Sequence, residues 1–366
     1  MERRRTSRNV TLDWIERDSE HANEISVDLI QNTYARLKLQ YAEILRQNWV
    51  EELESPDQIF DQLSLAACLI ELWRSMYGTI PATEQNPNED KNTAQFPGFV
   101  DIACGNGIIV YVLLMEGYKG SGFDALRRKS WATYPAEVQK YLEERVIIPR
   151  PFLDVLQPQE LGMEIHAGDF PENTFIISDH ADELTVWTPL IAALANPTSP
   201  LPFFVVPCCS RSLAGSSYRY PPPNGDVATT RSDTLKQNAQ PASGDLRALR
   251  AIKMKEKTES GFLESMIGSL AAKTMSVAEE IGIGVEKTWL RTPGAINMAL
   301  IGGRRQVTRE WIKQSDTRDF SMEEDQRDAL LKKVMGVVER ECAQDGGIQA
   351  AAKLWVGAFG RDKTVH

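Results

Sequence analysis

Residues 99–124 place two acidic side chains around a glycine-containing turn. Four residues interrupt the largely apolar run FVDIACGNGIIVYVLL (99–114): Asp101, Gly105, Asn106 and Gly107. Glycines can adopt a positive φ and carry no Cβ, so a strand that passes through them into a helix brings its backbone close to a ligand. Asp124 ends the next apolar run, GSGFD. The spacing predicts a ligand-binding turn between a strand and a helix.

The residues around this turn favour one ligand over the phosphate-containing alternatives. Val110 stands where a dinucleotide fingerprint has its third glycine, and no lysine follows the turn as in a P-loop. Asp101 can bind a cationic amino group, directly or through water, and Asp124 can accept both hydroxyls of a ribose. An amino-acid cation joined to an adenosine ribose describes S-adenosylmethionine, which the pattern predicts as the cofactor. The alternative is a structural glycine turn in which Asp101 caps the helix.

The composition argues against several classes of protein. The 366 residues are 42% hydrophobic, enough for a large core, and the net charge of −10 argues against unspecific coating of nucleic acid. Basic clusters at 127–129, 246–257 and 303–309, taken singly, are each typical of a solvated helix face. No apolar run reaches membrane-span length, the start is not a secretory signal, and the five cysteines lack disulfide or zinc spacing. We expect a cytoplasmic protein without a membrane segment or a metal site.

The hydrophobic periodicity places these residues among helices and strands. The pattern predicts helices at 24–50 and 259–281. It also predicts a buried helix that opens with a Ser55–Gln58 capping box and a polar C-terminal helix capped by Ser321 and Glu324. Strand patterns occur at 99–103, 121–123, 174–178 and 202–206. The segments VEKTWL and NMALIGG flank a TPG turn and predict a terminal hairpin. This alternation predicts an α/β fold, with a mostly parallel central sheet, a terminal antiparallel hairpin and N-terminal helices.

Four blocks of the sequence, in the same order, resemble a known family. They are LIELW (69–73), FVDIACGNGIIVYVLLMEGYKGSGFDALRRKSW (99–131), FIISDHADELTVWTPLIAAL (175–194) and FFVVPCC (203–209). Together they look like the fungal and animal tRNA(Ser) (uracil-2′-O-)-methyltransferases, and the chain resembles a fungal member. The resemblance implies a Rossmann-like S-adenosylmethionine methyltransferase fold, methylation of the ribose of uridine 44, and a tRNA partner, tRNA-Ser.

The resemblance and the helix pattern together predict three parts of the chain. Residues 1–54 are an N-terminal helical extension, and residues 55–305 are the methyltransferase domain. This domain contains a flexible insertion at 215–245, which has linker-like composition. Residues 306–366 are a C-terminal helical extension.

The predicted cofactor site contains residues from four segments. Its members are Asp101, Gly105, Asn106, Gly107, Asp124, Asp169 and Asp179. Asp169, in HAGDF, can receive the adenine amino group, although an ordinary turn aspartate is the alternative. Arg127, Arg128 and Lys129 follow the second strand next to the crevice and are predicted to bind RNA phosphates.

The methyl acceptor, a ribose 2′-hydroxyl, needs alignment and a proton acceptor. Asp182 and His180 are the candidate catalytic residues because both match the family pattern. The alternatives are an acidic first helical turn for Asp182 and a hydrogen-bonded structural imidazole for His180. Cys208 and Cys209 are interpreted as small residues at a crowded strand end, since direct methyl transfer needs no covalent enzyme intermediate. Trp131 and Tyr134 are interpreted as packing residues in preference to base-stacking ones.

The sequence departs from the family pattern at several places. Leu126 replaces the first residue of an unbroken Arg-Arg-Arg-Lys run, and Asp179, Ala181 and Val186 depart from the third block. An expected basic stretch is missing near 292–298. Two other functions therefore stay open: a methyltransferase acting on another RNA or a protein, and a cofactor-binding scaffold without turnover.

Overall fold

A mixed sheet of seven strands forms the centre of the molecule. The computed structural model describes residues 25–52, 54–85, 96–156, 164–223, 259–291, 296–304, 307 and 320–362. The strands are β1 (Phe99–Ile102), β2 (Gly120–Asp124), β3 (Leu142–Glu144), β4 (Val146–Ile147), β5 (Ile165–His166), β6 (Phe175–Asp179), β7 (Phe203–Val206), β8 (Val285–Arg291) and β9 (Ile296–Gly302). The sheet has the order β3-β2-β1-β6-β7-β9-β8, and β4 pairs with β5 apart from it.

The direction of the strands confirms the predicted α/β fold. Neighbours from β3 to β7 are parallel, whereas β9 is antiparallel to both β7 and β8. The central strands β1 and β7 are buried throughout and rich in Val, Ile and Phe, as expected for parallel strands covered on both faces. The chain reverses its order between β1 and β6, and such a reversal opens a crevice at the carboxyl ends of the two strands.

Helices cover both faces of this sheet. They are α1 (Val27–Gln47), α2 (Gln58–Tyr77), α3 (Ile108–Met115), α4 (Ala136–Gln139), α5 (Arg150–Leu153), α6 (Leu184–Ala195), α7 (Glu259–Glu264), α8 (Met266–Glu280), α9 (Phe320–Cys342) and α10 (Ile348–Asp362). Successive strand residues point to opposite faces, so Phe204 packs into the core formed with α1, α2 and α3. Val205 packs into the core formed with α6, α8, α9 and α10. None of the described helices combines the length and apolarity needed to cross a bilayer.

A buried ionic cluster attaches α1 to the sheet domain. Glu116 follows α3 and is fully buried. Its carboxylate accepts a hydrogen bond from the Tyr41 hydroxyl at 2.8 Å and lies 2.7 Å from Nη1 of Arg36. Leu37 and Leu45 of α1 are buried in the same core as α2. The predicted domain boundaries at 54/55 and 305/306 stay predictions. The described helices before and after these positions pack onto the sheet.

Two predicted helix starts are wrong in detail. The buried helix α2 begins at Gln58, because Ser55 Oγ accepts from the Asp57 amide at 3.2 Å and caps the turn before the helix. The C-terminal helix α9 already contains Ser321, so Ser321 is not its cap. Local capping signals were present in both places, but they do not define where the continuous helical hydrogen bonding begins.

The helix predicted at 259–281 is broken into α7 and α8. Ser265 between them is extended, with φ −69° and ψ 166°, and its Oγ accepts from the Gly268 amide at 3.0 Å. The chain turns so tightly there that a Cβ on Gly268 would lie 1.8 Å from the Phe262 carbonyl oxygen. A serine N-cap thus restarts the helix in a new direction.

Several predicted features fall partly or wholly outside the described residues. These are the hairpin turn with Pro293 and Gly294, the basic segment 246–257, and residues 224–245 of the predicted insertion. The first part of that insertion is described, and there Tyr220 is buried and donates to the Arg211 carbonyl at 3.1 Å. The solvated-face interpretation of 303–309 is wrong for Arg304, which is buried and binds Glu286.

Replacing Glu116 with alanine should destabilise the protein. Loss of the carboxylate removes the acceptor of the Tyr41 hydroxyl and an ionic partner of Arg36, so we expect the free energy of unfolding to fall by about 2–3 kcal/mol. Urea unfolding followed by tryptophan fluorescence measures this change. Glu43→Ala, on the exposed side of α1, is the control and should change stability by less than about 0.5 kcal/mol. Equal effects of the two substitutions would contradict the structural role of the buried cluster.

Candidate functional site

A cavity of about 590 Å³ opens at the carboxyl ends of β1, β2 and β6. This volume is in the range of small-molecule sites. Five of the predicted cofactor residues line it: Asp101, Gly105, Asn106, Asp124 and Asp179. His180 and Asp182, the predicted catalytic residues, line it as well. The structure therefore brings most of the predicted site together in one place.

The glycine turn forms one wall of the cavity. Gly105 has φ 52° and Gly107 has φ 78°, which are left-handed conformations that glycine adopts without strain. A Cβ on Gly105 would meet no heavy atom within 4 Å, so this position leaves space open. Ala103 also has a positive φ, 62°, although it carries a Cβ. Backbone strain of this kind is frequent at binding sites, where the surrounding structure maintains it.

Two aromatic residues after β2 hold the glycine turn from behind. Trp131 is fully buried and its Nε1 donates to the Gly105 carbonyl at 2.9 Å. The Tyr134 hydroxyl donates to the Asn106 carbonyl at 2.8 Å. Both residues thus pack in the core, as the sequence predicted, and their polar ends bind carbonyls of the turn. A Cβ on Gly107 would lie 3.2 Å from Trp131 Nε1, which explains a glycine there.

Asn106 connects the turn to the segment between α1 and α2. Its Oδ1 accepts from the Ile108 amide at 3.1 Å, so it fixes the start of α3. Its Nδ2 donates to Glu54 at 3.0 Å. The predicted binding residue is therefore fully engaged with protein partners on both sides of its amide.

Asp101 is a buried carboxylate without a partner in the described structure. It is 1% exposed, and neither of its carboxylate oxygens has a hydrogen-bond partner among the described residues. Burial, with further contributions from the charges of Asp179 and Asp124, raises the pKa of Asp101 well above its ordinary value. A carboxylate left in this state is costly, and a cationic donor placed in the cavity would remove the cost.

The other two strand-end carboxylates differ in their surroundings. Asp124 accepts from the Gly105 amide at 2.9 Å and from the Leu126 amide at 3.0 Å, so it ties β2 to the glycine turn. Each of its oxygens keeps a further lone pair for a ligand hydroxyl. Asp179 ends β6, and burial raises its pKa while the neighbouring His180 lowers it.

His180 and Asp182 occupy a strained loop between β6 and α6. Their φ angles are 51° and 44°, in the left-handed region that residues with a Cβ seldom adopt. The side chain of His180 is 58% exposed, and its Nε2 lies 3.8 Å from Asp179 Oδ1. Asp182 is engaged on both oxygens: Cys208 donates to Oδ1 at 3.0 Å, and Arg211 Nε lies 3.4 Å from Oδ2. The imidazole is thus the more available of the two groups.

The cysteine pair lies beside Asp182. Asp182, Cys208 and Cys209 are the one set of three potential metal ligands that the described residues bring within 4.8 Å of one another. Burial raises the pKa of the Cys208 thiol, and its hydrogen bond to Asp182 acts in the same direction. A protonated thiol that donates to a carboxylate agrees with a packing role at the strand end.

Asp169 and Lys129 are not among the residues that line the cavity. Asp169 is 58% exposed at its side chain, is not among the lining residues, and pairs with Arg150 at 2.5 Å. Lys129 is exposed and pairs with Glu52 at 2.7 Å. Arg128 does line the cavity, and the guanidinium of Arg127 lies 5.8 Å from the centre of the Trp131 ring. The predicted basic segment therefore borders the cavity.

Sequence reasoning missed the part of the cavity that comes from distant elements. Gln58, Asp61 and Gln62 of α2, Arg145 after β3 and Trp355 of α10 all line it. Asp61 and Gln62 had a visible signal, because they interrupt an otherwise apolar buried helix. Trp355 had none, since nothing in its local sequence connects it to the glycine turn.

The cavity fits S-adenosylmethionine in its charge and shape. The unpartnered carboxylate of Asp101 demands a cation, the lone pairs of Asp124 suit a ribose, and Gly105 leaves space beside both. Most charged groups in the lining are carboxylates: Glu54, Asp61, Asp101, Asp124, Asp179, Asp182 and Glu183. A cationic cofactor is favoured by this lining, and a dinucleotide with its pyrophosphate is not.

Comparison with known proteins agrees with this fold and with the predicted cofactor. Residues 24–149 match a family model described as "Predicted AdoMet-dependent methyltransferase". The chain is 50% identical to an Aspergillus oryzae protein over 355 residues, which cover 94% of this chain and 55% of that protein. It is 37% identical to a Neurospora crassa protein over 290 residues, 76% of this chain and 47% of that one. Both are named tRNA (uracil-O(2)-)-methyltransferase.

One solved structure gives a much weaker match. It is titled as an O-methyltransferase family protein from Burkholderia thailandensis and is 13% identical, with a TM-score of 0.29 over 75% of this chain and 70% of that one. The fold assignment rests on the strand order and the family model instead.

Sheet order, glycine turn and strand-end carboxylates together are those of the S-adenosylmethionine-dependent methyltransferase fold. The chain spans about half the length of the curated relatives it matches. Over the part that it spans, it is similar to the fungal proteins named tRNA (uracil-O(2)-)-methyltransferase, with 50% identity to the one from Aspergillus oryzae.

Replacing Asp101 with asparagine should stabilise the free protein and weaken its cofactor binding. The folded pKa of Asp101 is raised, so its ionised form costs stability once the pH exceeds the ordinary pKa of an aspartate. The free energy of unfolding of the variant should exceed that of the parent protein only slightly near pH 4. The difference should grow to about 1–3 kcal/mol as the pH rises from the ordinary pKa of an aspartate through the raised pKa of the folded state. Urea unfolding between pH 4 and 8 measures it, and calorimetry should show S-adenosylmethionine affinity reduced at least about tenfold.

Asp169→Asn is the control for this substitution. Its side chain is exposed and outside the cavity, and exposed ion pairs contribute little to stability. If Asp101→Asn behaved like this control in both measurements, the cationic ligand site at Asp101 would be wrong.

Proposed function

We propose that this chain is the methyltransferase part of an enzyme that methylates the ribose 2′-oxygen of a uridine in tRNA. The support is the 50% identity to a protein of that name, together with the unpartnered Asp101 in the cavity. The finer assignment that we propose is position 44 of tRNA-Ser, in the cytoplasm. It follows the resemblance of the four sequence blocks described above.

The cofactor has a proposed place for each of its polar parts. Asp101 binds the ammonium group, Asp124 binds the ribose hydroxyls, and the space left open at Gly105 lets the ligand lie against the glycine turn between them. Bound S-adenosylmethionine supplies a methyl group activated on a sulfonium. The protein contributes alignment, because the buried walls of the cavity hold the acceptor on the line of transfer and exclude water.

His180 is the residue we propose to take the proton from the 2′-hydroxyl. It lines the cavity, it is more than half exposed, and Asp179 lies 3.8 Å away where it can orient the imidazole. Asp182, the other candidate, already accepts from Cys208 and faces Arg211, which makes its carboxylate a weaker proton acceptor. We propose that Asp182 positions the loop between β6 and α6 instead.

The RNA surface that we propose starts at the basic segment beside the cavity. Arg128 lines the cavity and Arg127 packs over Trp131, so both cations lie next to the predicted acceptor position. Exposed pairs such as Lys129–Glu52 contribute little stability, and a phosphate can replace their acidic partner.

The decisive experiment is methylation of defined RNAs in vitro. The protein, S-adenosylmethionine and unmodified tRNA-Ser are incubated, and nucleosides are analysed by mass spectrometry. We expect 2′-O-methyluridine at position 44, with no product from a transcript in which that uridine is replaced. Transfer to other RNAs or to protein alone would favour the second methyltransferase function, and cofactor binding without any transfer would favour a scaffold.

Two matched substitutions test the proton acceptor. His180→Gln should bind S-adenosylmethionine normally and transfer methyl about 10²–10⁴-fold more slowly, because glutamine can hold a hydrogen bond but not accept the proton. Asp182→Asn should have the smaller effect, since it perturbs only the loop. Single-turnover kinetics with calorimetric binding separates rate from affinity. If the two effects are reversed in size, Asp182 is the base, and if both variants keep the parental rate, alignment alone drives the reaction.

The basic segment should make tRNA binding depend on salt. Replacing Arg127 and Arg128 with alanine should reduce the slope of log affinity against log salt by about 1.5, since each phosphate contact contributes roughly 0.7–0.9. Filter binding over a range of salt concentrations measures the slope. Lys140→Ala, an exposed cation farther along the chain, is the control and should leave it unchanged. An unaltered slope in the double variant would show that the segment is a solvated surface.

A further inference from the structure

The helix α2 contributes a polar pair, Asp61 and Gln62, to the lining of the cavity. Asp61 and Gln62 are half-buried and line the cavity together with Asp101 and Asp179. The eleven residues that follow them in the helix, 63–73, are all buried in the core. A charged residue and an amide at the inner end of such a helix have no role in packing the sheet.

The buried side-chain oxygens of Asp61 and Gln62 lack hydrogen-bond donors, as those of Asp101 do. Oδ1 of Asp61 and Oε1 of Gln62 are buried and have no hydrogen-bond partner among the described residues. Both oxygens of Asp101 are in the same state. Buried acceptors without donors are rare in folded proteins, so acceptors from two elements that line one cavity indicate a ligand with several N–H donors.

The negative charges of the carboxylates around the cavity also favour a ligand with N–H donors that is a cation. The carboxylate of Asp61 acts with burial to raise the pKa of Asp179, which places Asp61 close to the strand-end acids. These carboxylates are not spaced for a shared metal ion, since among the described residues only Asp182, Cys208 and Cys209 converge within 4.8 Å. An organic ammonium with three N–H donors can reach carboxylates that are farther apart.

We propose that Asp61, assisted by Gln62, forms the second wall of an ammonium pocket whose first wall is Asp101. The proposal rests on the cofactor site described above and extends it to α2, an element outside the strand ends. In this arrangement the amino-acid end of the cofactor lies between α2 and the ends of β1 and β6. The nucleoside end lies at Asp124 and makes no contact with α2.

Two ligands, one with and one without the amino-acid end that carries the ammonium group, test the pocket. S-adenosylhomocysteine carries the amino-acid end, whereas 5′-methylthioadenosine keeps the nucleoside and sulfur and lacks it. Calorimetry should show that Asp61→Asn lowers the affinity for S-adenosylhomocysteine about ten- to a hundredfold and changes the affinity for 5′-methylthioadenosine less than about twofold. Gln62→Met keeps the shape of the side chain without its hydrogen-bond acceptor. It should lower the affinity for S-adenosylhomocysteine several-fold and leave the affinity for 5′-methylthioadenosine unchanged. Asp57→Asn, exposed before α2, should change neither.

Three results would overturn this pocket. Unchanged affinity of Asp61→Asn and Gln62→Met for S-adenosylhomocysteine would show that α2 makes no contact with the ammonium. Equal weakening of both ligands would show that Asp61 shapes the cavity as a whole. If the parent protein bound neither ligand, the cofactor site itself would be wrong and the pocket with it. Urea unfolding of each variant without ligand checks that its fold is intact.

Discussion

The charge of Asp101, buried at the end of β1, is the constraint on which the site depends. Three carboxylates end three adjacent strands, Asp124 on β2, Asp101 on β1 and Asp179 on β6, so folding brings like charges together in a place with little water. The two hydrophobic cores on either side of the sheet supply the stability that tolerates this arrangement. A cavity built in this way is unfavourable while it contains no cation and favourable when it contains one, which is the basis of its selectivity.

The central part of the fold follows from local rules. Buried apolar runs alternating with helices require parallel strands, and the carboxyl ends of parallel strands meet at one edge of the sheet. Asp101, Asp124 and Asp179 could therefore be placed in one site from their positions at strand ends. The three short strands β3, β4 and β5 have two or three residues each and carry no period that sequence analysis can detect.

The residues that complete the walls of the cavity could not be identified from local sequence. Asp61 and Trp355 come from elements far apart in the chain, and their distance from the glycine turn is decided by tertiary packing. The role of Asn106 was also hidden, because its amide partners include Glu54, fifty-two positions earlier. The predicted cofactor role of Asp169 stays a prediction: its side chain is not among the residues that line the cavity and forms an ion pair with Arg150.

Trp355 has a consequence for how the protein matures. Its indole donates to the Ile147 carbonyl at 3.0 Å and packs edge-on against Phe152, so α10 completes a wall formed around a residue 208 positions earlier. During synthesis on a ribosome, the sheet emerges long before this helix. Until α10 docks, the cavity lacks the wall that Trp355 supplies, and water can reach the strand-end carboxylates from that side. Part of the unfavourable burial of charge therefore arises only when this helix packs.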